Sequence, residues 1–306
     1  MTSNSTVDSP DLLLAGEFMC TAARLLERRL AALQAGPATG PGAIAVFDAL
    51  DGYRNDDGGL GHALEPDVRA AASQPLAVDF GLEAAEQAVR AAWGEPGVRE
   101  RGLRFATALL PFLDSVAEPG GGLPIVLDTI TEAPRADHWG DGDFPAGINP
   151  TANIVARLRL LGASSTWLDS ADAYCKAGID RAVGEGTLDG HSLANTLRYL
   201  EHTPDREWAD AHVRTIAEGL AGMDFFHLHP AEGYGVTPVD LAPLPDDRWR
   251  ALFPAGAVEA HLDVLAAAQQ DDGGWPIAWT APGPAATLEW RGVVTARAVR
   301  ASAARR

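Results

Sequence analysis

The residues best suited to chemistry in this sequence are carboxylates at junctions between a loop and a helix. Glu65 and Asp67 stand two positions apart with a proline between them, a spacing at which one charge raises the pKa of the other. Asp240 directly precedes a short apolar run. A carboxyl group buried among apolar side chains keeps its proton at neutral pH and is able to donate it. We therefore predict a proton donor at Asp67 or Asp240, with Glu65 as a further catalytic candidate.

Other ionisable residues near these junctions are weaker candidates for catalysis or ligand binding. Asp143 stands in a loop before an aromatic residue, and for it, as for the other carboxylates, the alternative is a helix cap or a solvated charge. His62 is a candidate to orient Asp67 or to accept a proton, although a lone loop histidine is more often a surface group. His227 and His229 resemble a metal pair, but no carboxylate or cysteine lies at ligand spacing. Since motifs for zinc hydrolases, serine hydrolases and dinucleotide binding are also absent from the sequence, we predict neither a metal nor a cofactor.

Aromatic and polar residues in or beside the loops are candidates for ligand binding. The predicted substrate-binding residues are Trp139, Asp143, Phe144, Asn149, Tyr234, Trp275, Trp279, Glu289, Trp290 and Arg291. If the loops share one end of the fold, these side chains meet the candidate acids there. For the charges beside Trp290, the alternative is an internal ion pair or a turn-capping contact.

Composition excludes several classes of partner. The formal net charge of −18 argues against nucleic acid and anionic membrane surfaces, because the chain cannot neutralise phosphates in quantity. Cys20 and Cys175 lie far apart and form no disulfide or CxxC pattern, which fits a reducing compartment. The sequence contains neither a signal-peptide pattern nor an apolar run of about 18 residues. We therefore predict a cytoplasmic protein without stable membrane insertion, and the sequence predicts no particular oligomeric state.

Helical periodicity dominates the chain. Apolar residues recur at helical spacing over residues 12–34, which predicts one long helix, and no segment alternates with the period of a strand. Residues 127–147 form a long irregular loop, typical of a functional segment or a lid. Asn149 is predicted to cap the helix that follows it. These patterns predict an all-α protein.

A glycine turn recurs along the sequence. Its strongest copy lies at residues 269–275, and weaker copies lie at residues 54–61, 118–124 and 230–235. The first two copies are roughly 64 residues apart and the last two roughly 40, which is typical of repeats built from two helices, whereas about 112 residues separate the second copy from the third.

The strongest copy carries a family resemblance. Gln270-Asp271-Asp272-Gly273-Gly274-Trp275 resembles the repeat motif of the terpenoid cyclase and protein prenyltransferase superfamily. In that family the motif is structural, since the glutamine caps a helix and the indole stacks on it. The resemblance implies an (α/α) toroid of about five to six helical hairpins. We predict one such domain over residues 10–306, preceded by a disordered N-terminus at residues 1–9.

The sequence also departs from that family. The string 147–152 keeps the Thr-Ala of the cyclases' acidic motif but lacks its aspartates, so no acid is transferred to Asn149. The zinc ligands of the prenyltransferases have no counterpart, because Asp172 and Cys175 have the wrong spacing. The resemblance implies a protein that binds an apolar, isoprenoid-type molecule and catalyses proton-initiated cyclisation or isomerisation. The alternatives are a toroid that binds a ligand or partner without chemistry, and a carbohydrate-active (α/α) barrel with Asp67 and either Asp143 or Glu65 as acid and base.

Overall fold

The computed structural model describes residues 9–303. Within this range every regular element of secondary structure is a helix. The predicted all-α fold is therefore confirmed. The predicted disordered segment at residues 1–9 lies, apart from its last residue, outside the described residues. The α-helices of the described range are α1 (Leu12–Ala22), α2 (Leu25–Ala35), α3 (Gly40–Asp51), α4 (Pro75–Ala91), α5 (Val98–Val116), α6 (Ile148–Leu160), α7 (Thr166–Glu185), α8 (Gly190–His202), α9 (Arg206–Gly219), α10 (Pro238–Leu241), α11 (Ala255–Ala267) and α12 (Pro284–Ala303). Short 3₁₀ segments lie at Asp128–Glu132, Asp137–Trp139, Leu220–Gly222 and Arg248–Leu252.

The prediction of a single helix over residues 12–34 is wrong, because two extended residues interrupt the helix between α1 and α2. Ala23 and Arg24 are extended, with ψ angles of 154° and 164°. A Cβ atom on Gly292 of α12 would lie only 3.1 Å from the Cβ of Ala23, so the break fits closely against that helix. The extended backbone also frees the Arg24 side chain to reach the loop at residues 61–69.

The longer helices form two layers. Helices α2, α4, α6 and α8 contact one another in succession, and α12 contacts α2. Helices α3, α5, α7 and α9 pack against this row as a second layer. A separate apolar cluster joins α8 to α9, α11 and α12, and it includes Leu197, Ile216, Leu262 and Ala301. Packing contacts therefore lead from α8 through this cluster to α12.

Charged side chains connect the row of helices. Glu86 of α4 is 4% exposed and pairs with Arg157 of α6 and Arg198 of α8. Although burial opposes its charge, these arginines hold the pKa of Glu86 well below its usual value. Glu83, one turn earlier, pairs with Arg297 of α12. The helices of this row are therefore connected by ion pairs as well as by apolar packing.

Three of the predicted glycine turns have the same backbone structure. In the first, the Asn55 N–H donates to the Gly59 carbonyl and the Gly58 N–H donates to the Asn55 carbonyl. The same two bonds recur at Glu118, Gly121 and Gly122, and again at Gln270, Gly273 and Gly274. Gly58, Gly121 and Gly273 occupy the same position in the three turns. Their φ angles are 88°, 94° and 86°, a conformation that glycine adopts without strain. The turn at residues 230–235 has no such pair of bonds.

Each of these turns lies directly against a helix. A Cβ atom on Gly58 would lie 2.4 Å from the Ala108 carbonyl oxygen of α5, and one on Gly273 would lie 2.2 Å from the Leu14 carbonyl oxygen of α1. At Gly121 the nearest atom is the backbone nitrogen of Ala171 in α7, at 2.5 Å. Only glycine fits at these positions without a shift, so each of these turns packs closely on the helix that it contacts.

Among residues 9–303, no helix is both long and apolar enough to cross a membrane.

Candidate functional site

The candidate site is built on residues 61–69, here called the acid loop. Its residues His62 and Ala63 have φ angles of 55° and 58°, in the left-handed region that costs a non-glycine residue about 1–2 kcal/mol. The Arg24 guanidinium donates from Nη1 to the carbonyls of Ala63 and Leu64, at 2.8 and 3.0 Å. The arginine thus holds the strained part of the loop just before Glu65.

One ion pair, between Arg69 and Glu289, attaches the acid loop to α12, and Arg24 links the same carboxylate to the start of α2. Arg69, near the end of the loop, forms a two-bond ion pair with Glu289 of α12. Arg24 at the start of α2 lies 4.0 Å from the same carboxylate and also pairs with Glu27. Glu289, predicted to bind substrate, therefore lies between two arginines and contributes to holding the acid loop in place.

Glu65 has the properties of a proton donor. Its side chain is buried, and its Oε2 atom has no hydrogen-bond partner in the described structure. Burial, assisted by the charge of Asp67, raises the pKa of Glu65 to about 8, although the backbone N–H groups of Asp67 and Val68 favour the charged form. At pH 7 the Glu65 carboxyl is therefore mostly protonated.

Asp67 is buried beside two indoles. Its Oδ2 atom accepts a 3.0 Å hydrogen bond from Trp279 Nε1. Burial raises the pKa of Asp67, while the indole N–H groups of Trp290 and Trp279 favour its charged form. The Trp290 N–H lies close enough to Asp67 to favour its charged form, although the two groups do not meet in regular hydrogen-bond geometry. The atom of this site for which the described residues supply no hydrogen bond is therefore Oε2 of Glu65.

A continuous series of rings, here called the aromatic ladder, leads from the surface to the acid loop. In order, its members are Phe225, His191, Tyr234, Trp279, Trp290 and Phe80. Neighbouring ring centroids lie 4.9 to 6.0 Å apart, and the last four rings meet edge to face. The Tyr234 hydroxyl and His191 Nε2 are 2.9 Å apart and hydrogen bonded.

The first two turns of several helices hold these rings in position. His191 lies in the first turn of α8, while Phe80 of α4 and Trp290 of α12 each lie in a second turn. Arg24 directly precedes α2 and contacts the acid loop. Four helices that are distant in sequence therefore meet at one site.

Two of the predicted catalytic residues have other contacts. His62 is exposed, and its Nε2 atom is hydrogen bonded to Asn55 Oδ1 at 2.8 Å. Asp240 is exposed and forms a capping box with Thr237 at the start of α10. It therefore lacks the burial that a neutral carboxylic acid needs, and its observed contacts are those of the helix-cap alternative.

The loop at residues 127–147 packs behind the acid loop. Trp139 is buried in a small apolar cluster with Val68 and lies edge to face with Phe144, their centroids 5.7 Å apart. Asp143 is exposed. Asn149 has extended angles (φ −90°, ψ 116°) at a kink directly before Pro150, which is the backbone conformation expected of a residue that caps the regular part of α6.

Trp275 and Arg291 have structural contacts near the last glycine turn. Trp275 is 2% exposed, and its indole N–H donates to the Leu265 carbonyl at 2.7 Å. Arg291 pairs with Asp272 of the same turn. The glutamine that contacts the start of α1 is Gln269, not Gln270 of the predicted motif. The Gln269 side-chain amide accepts from the Asp11 N–H and donates to the Asp11 carbonyl.

Sequence reasoning missed several residues of this site. Arg24 was placed inside a predicted helix, so nothing in the pattern indicated its contact with the acid loop. His191 lies beside both Tyr234 and Phe225 only in the folded chain. Arg69 did carry a signal, because it lies with Glu65 and Asp67 in a loop unusually rich in ionisable residues.

One small cavity lies among α2, α4 and α12. Its volume of about 30 Å³, between Phe80, Glu83 and Arg297, is room for about one water molecule. Within residues 9–303, no cluster of three or more histidine, cysteine, aspartate or glutamate side chains is arranged to hold a metal ion.

Comparison with models of known protein families and with curated proteins finds no match for this chain.

Proposed function

We propose that this protein is an acid catalyst of the terpenoid-cyclase type, which acts on an apolar, isoprenoid-like molecule that carries an oxygen function. Glu65 is the proton donor, and Asp67 is the charged neighbour that stabilises positive charge. The aromatic faces around them stabilise the same charge through their π electrons. The closed α/α toroid belongs to this proposal, supported by the contacts from α12 through α2, α4, α6 and α8 and by the apolar cluster between α8 and α12.

The single observation that carries the proposal is the buried carboxyl of Glu65 two residues from Asp67, a carboxyl that lies beside the indoles of Trp279 and Trp290. The Glu65 Oε2 atom has no hydrogen-bond partner among the described residues, and because such a buried polar atom is costly, it supports a bound group at this atom. Glu65 offers a proton at neutral pH, and Asp67 is positioned by Trp279.

The proposed reaction begins at a substrate oxygen. Glu65 transfers its proton to that oxygen, the C–O bond breaks, and its electron pair goes to the oxygen, which leaves as water from an alcohol or stays on the neighbouring carbon as a hydroxyl group from an epoxide. The carbon left behind is positively charged and lies among the rings and the Asp67 carboxylate. A C–H proton then returns to the Glu65–Asp67 pair, which restores the acid and leaves a new double bond. An acid with a pKa of about 8 suits an oxygen acceptor, because general acids work best with a pKa near the working pH.

The test compares Glu65→Gln with the wild-type protein on prenyl epoxides and prenyl alcohols, with products identified by mass spectrometry. Glutamine has nearly the same shape but carries no acidic proton, so we expect turnover to fall by at least about a hundredfold. Asp143→Asn is the matched control, since that carboxylate is exposed and outside the site. Equal turnover in wild-type protein and Glu65→Gln would contradict the proposal. Ligand binding without turnover in either protein would support the non-catalytic alternative.

A carbohydrate-active enzyme is the second candidate, because ion pairs line part of the row of helices. Glu83 and Arg297 border the small cavity beside Phe80, and such groups suit a polar ligand better than a hydrocarbon. In this version, Glu65 protonates a glycosidic oxygen and Asp67 acts as base or nucleophile. Turnover of aryl glycosides that depends on both carboxyls, with none of prenyl substrates, would favour it.

A further inference from the structure

The small cavity among α2, α4 and α12 has polar groups in its lining that acid catalysis at Glu65 does not use. Its volume of about 30 Å³ is room for about one water molecule. Most of its wall is apolar, with Leu26, Leu30 and Phe80 among the lining side chains. The polar side chains that border it are Glu27, Glu83, Gln87 and Arg297. A cavity of this size stays empty when its lining is apolar, but it holds a water molecule when at least two polar groups border it.

The polar side chains keep hydrogen-bonding capacity for such a molecule. Glu27 is 2% exposed, and its two carboxylate oxygens each accept one bond from Arg24, at 2.6 and 3.0 Å. Each oxygen has a second lone pair, so Glu27 is able to accept further bonds. The Gln87 amide donates one of its two N–H groups to Glu83 at 3.3 Å, which leaves the other for a further acceptor. The lining therefore offers both acceptors and a donor.

The balance of charge favours a neutral occupant. Glu27 is paired with Arg24, and Glu83 is paired with Arg297 at 3.1 Å, so each carboxylate already has a counter-ion. A bound cation would add a charge without a partner, and a hydrocarbon would leave the remaining polar capacity of the lining unsatisfied. A water molecule adds no charge and is able to donate one O–H to each carboxylate.

From these observations we infer that the cavity is the binding site of one ordered water molecule, which donates to Glu27 and Glu83 and accepts from the Gln87 amide. This water joins α2 to α4. Because Glu27 also fixes Arg24, whose guanidinium donates to two carbonyls of the acid loop, the water supports that loop from behind. The inference is independent of the proposed function, since it concerns none of the reacting groups.

The first test is crystallography of the wild-type protein and of Ala84→Met, whose longer apolar side chain fills the cavity from α4. In the wild-type protein we expect one ordered water within about 3.2 Å of Glu27, Glu83 and Gln87. In Ala84→Met we expect that water to be displaced. Ala91→Met changes an exposed position at the end of the same helix and, as the control, should keep the water. Should Ala84→Met fail to fold, Gln87→Leu removes the donor and should lower the occupancy of the water.

The second test measures the support that the water gives to the acid loop. Hydrogen exchange of the amides at residues 61–69 should be at least about threefold faster in Ala84→Met than in the wild-type protein, relative to exchange in α6, which reports global unfolding. Unchanged relative exchange in a variant that has lost the water would overturn the link to the loop.

The crystals also test the identity of the occupant. A dry cavity in the wild-type protein would overturn the water site, and so would potassium or ammonium bound there in crystals soaked with either ion. None of these results depends on turnover, which Glu65→Gln tests separately. Failure of this inference and failure of the proposed function are therefore distinguishable.

Discussion

Replacing Glu65 with glutamine is expected to change how the stability of the protein depends on pH. Burial raises the pKa of Glu65 from 4.5 in the unfolded chain to about 8 in the folded protein. Between these values the folded state holds a proton that the unfolded state has released, so the free energy of unfolding falls as pH rises. The slope for one such group is about 1.4 kcal/mol per pH unit, which amounts to roughly 5 kcal/mol over the interval.

The glutamine variant has no titratable proton at this position, so its free energy of unfolding lacks this dependence on pH. The assay is urea unfolding of both proteins at half-unit steps from pH 4 to pH 9. The stability of Glu65→Gln minus that of wild type should be constant below about pH 4.5, rise until about pH 8 and then level off. A constant offset from the new amide does not affect this shape. The result that refutes the reasoning is a difference that stays flat from pH 4.5 to 8, because Glu65 would then titrate as an ordinary surface carboxyl. Asp143→Asn, which changes an exposed carboxyl outside the acid loop, is the control measured alongside it.

Three further predictions concern the groups around the site and the repeated turns. Gly273→Ala should destabilise the protein by at least about 2 kcal/mol in urea unfolding, because its φ angle is 86° and the new Cβ would meet the Leu14 carbonyl; Gly283→Ala, with open space around it, is the control. Asp240→Ala should cost about 1 kcal/mol of stability through loss of the capping box, and a fall in turnover well beyond that of destabilised controls would show a direct role in the chemistry. Arg24→Gln removes a cation that favours charged Glu65, so the pH at which the Glu65→Gln difference levels off should move upward when it is measured in the Arg24→Gln background; no movement would mean that the arginine only holds the loop.

Much of the helical structure was predictable because it depends on local patterns. Apolar spacing indicated an all-α chain, and the glycine pairs marked three turns that are alike in their hydrogen bonds. The turn at residues 230–235 shares the glycines but not the bonds, since its neighbours pair with each other instead: the His227 N–H donates to the Val236 carbonyl. Composition alone does not distinguish a repeated turn from a loop that contains glycine.

The break between α1 and α2 could not be predicted from periodicity. Residues 12–34 keep helical spacing throughout, and the interruption at Ala23 depends on the close approach of Gly292, which lies far away in the sequence. The same reason explains why the roles of the carboxylates were only partly predictable. Glu65 and Asp67 were recognisable as a pair in the sequence. Their pKa values, however, depend on burial and on the Trp279 N–H, and both are properties of the folded chain.

The packing of α1 against α12 has a consequence for biosynthesis. The Asp11 backbone and the Gln269 amide are hydrogen bonded across 258 residues of sequence, and Phe18 and Met19 share an apolar cluster with Ala296. A nascent chain leaves the ribosome from its N-terminus, so the part of α1 that packs on α12 stays uncovered until residues 284–303 have been translated. During that interval the first helix is a natural binding target for chaperones, and a chain that stops short of α12 leaves this surface permanently open.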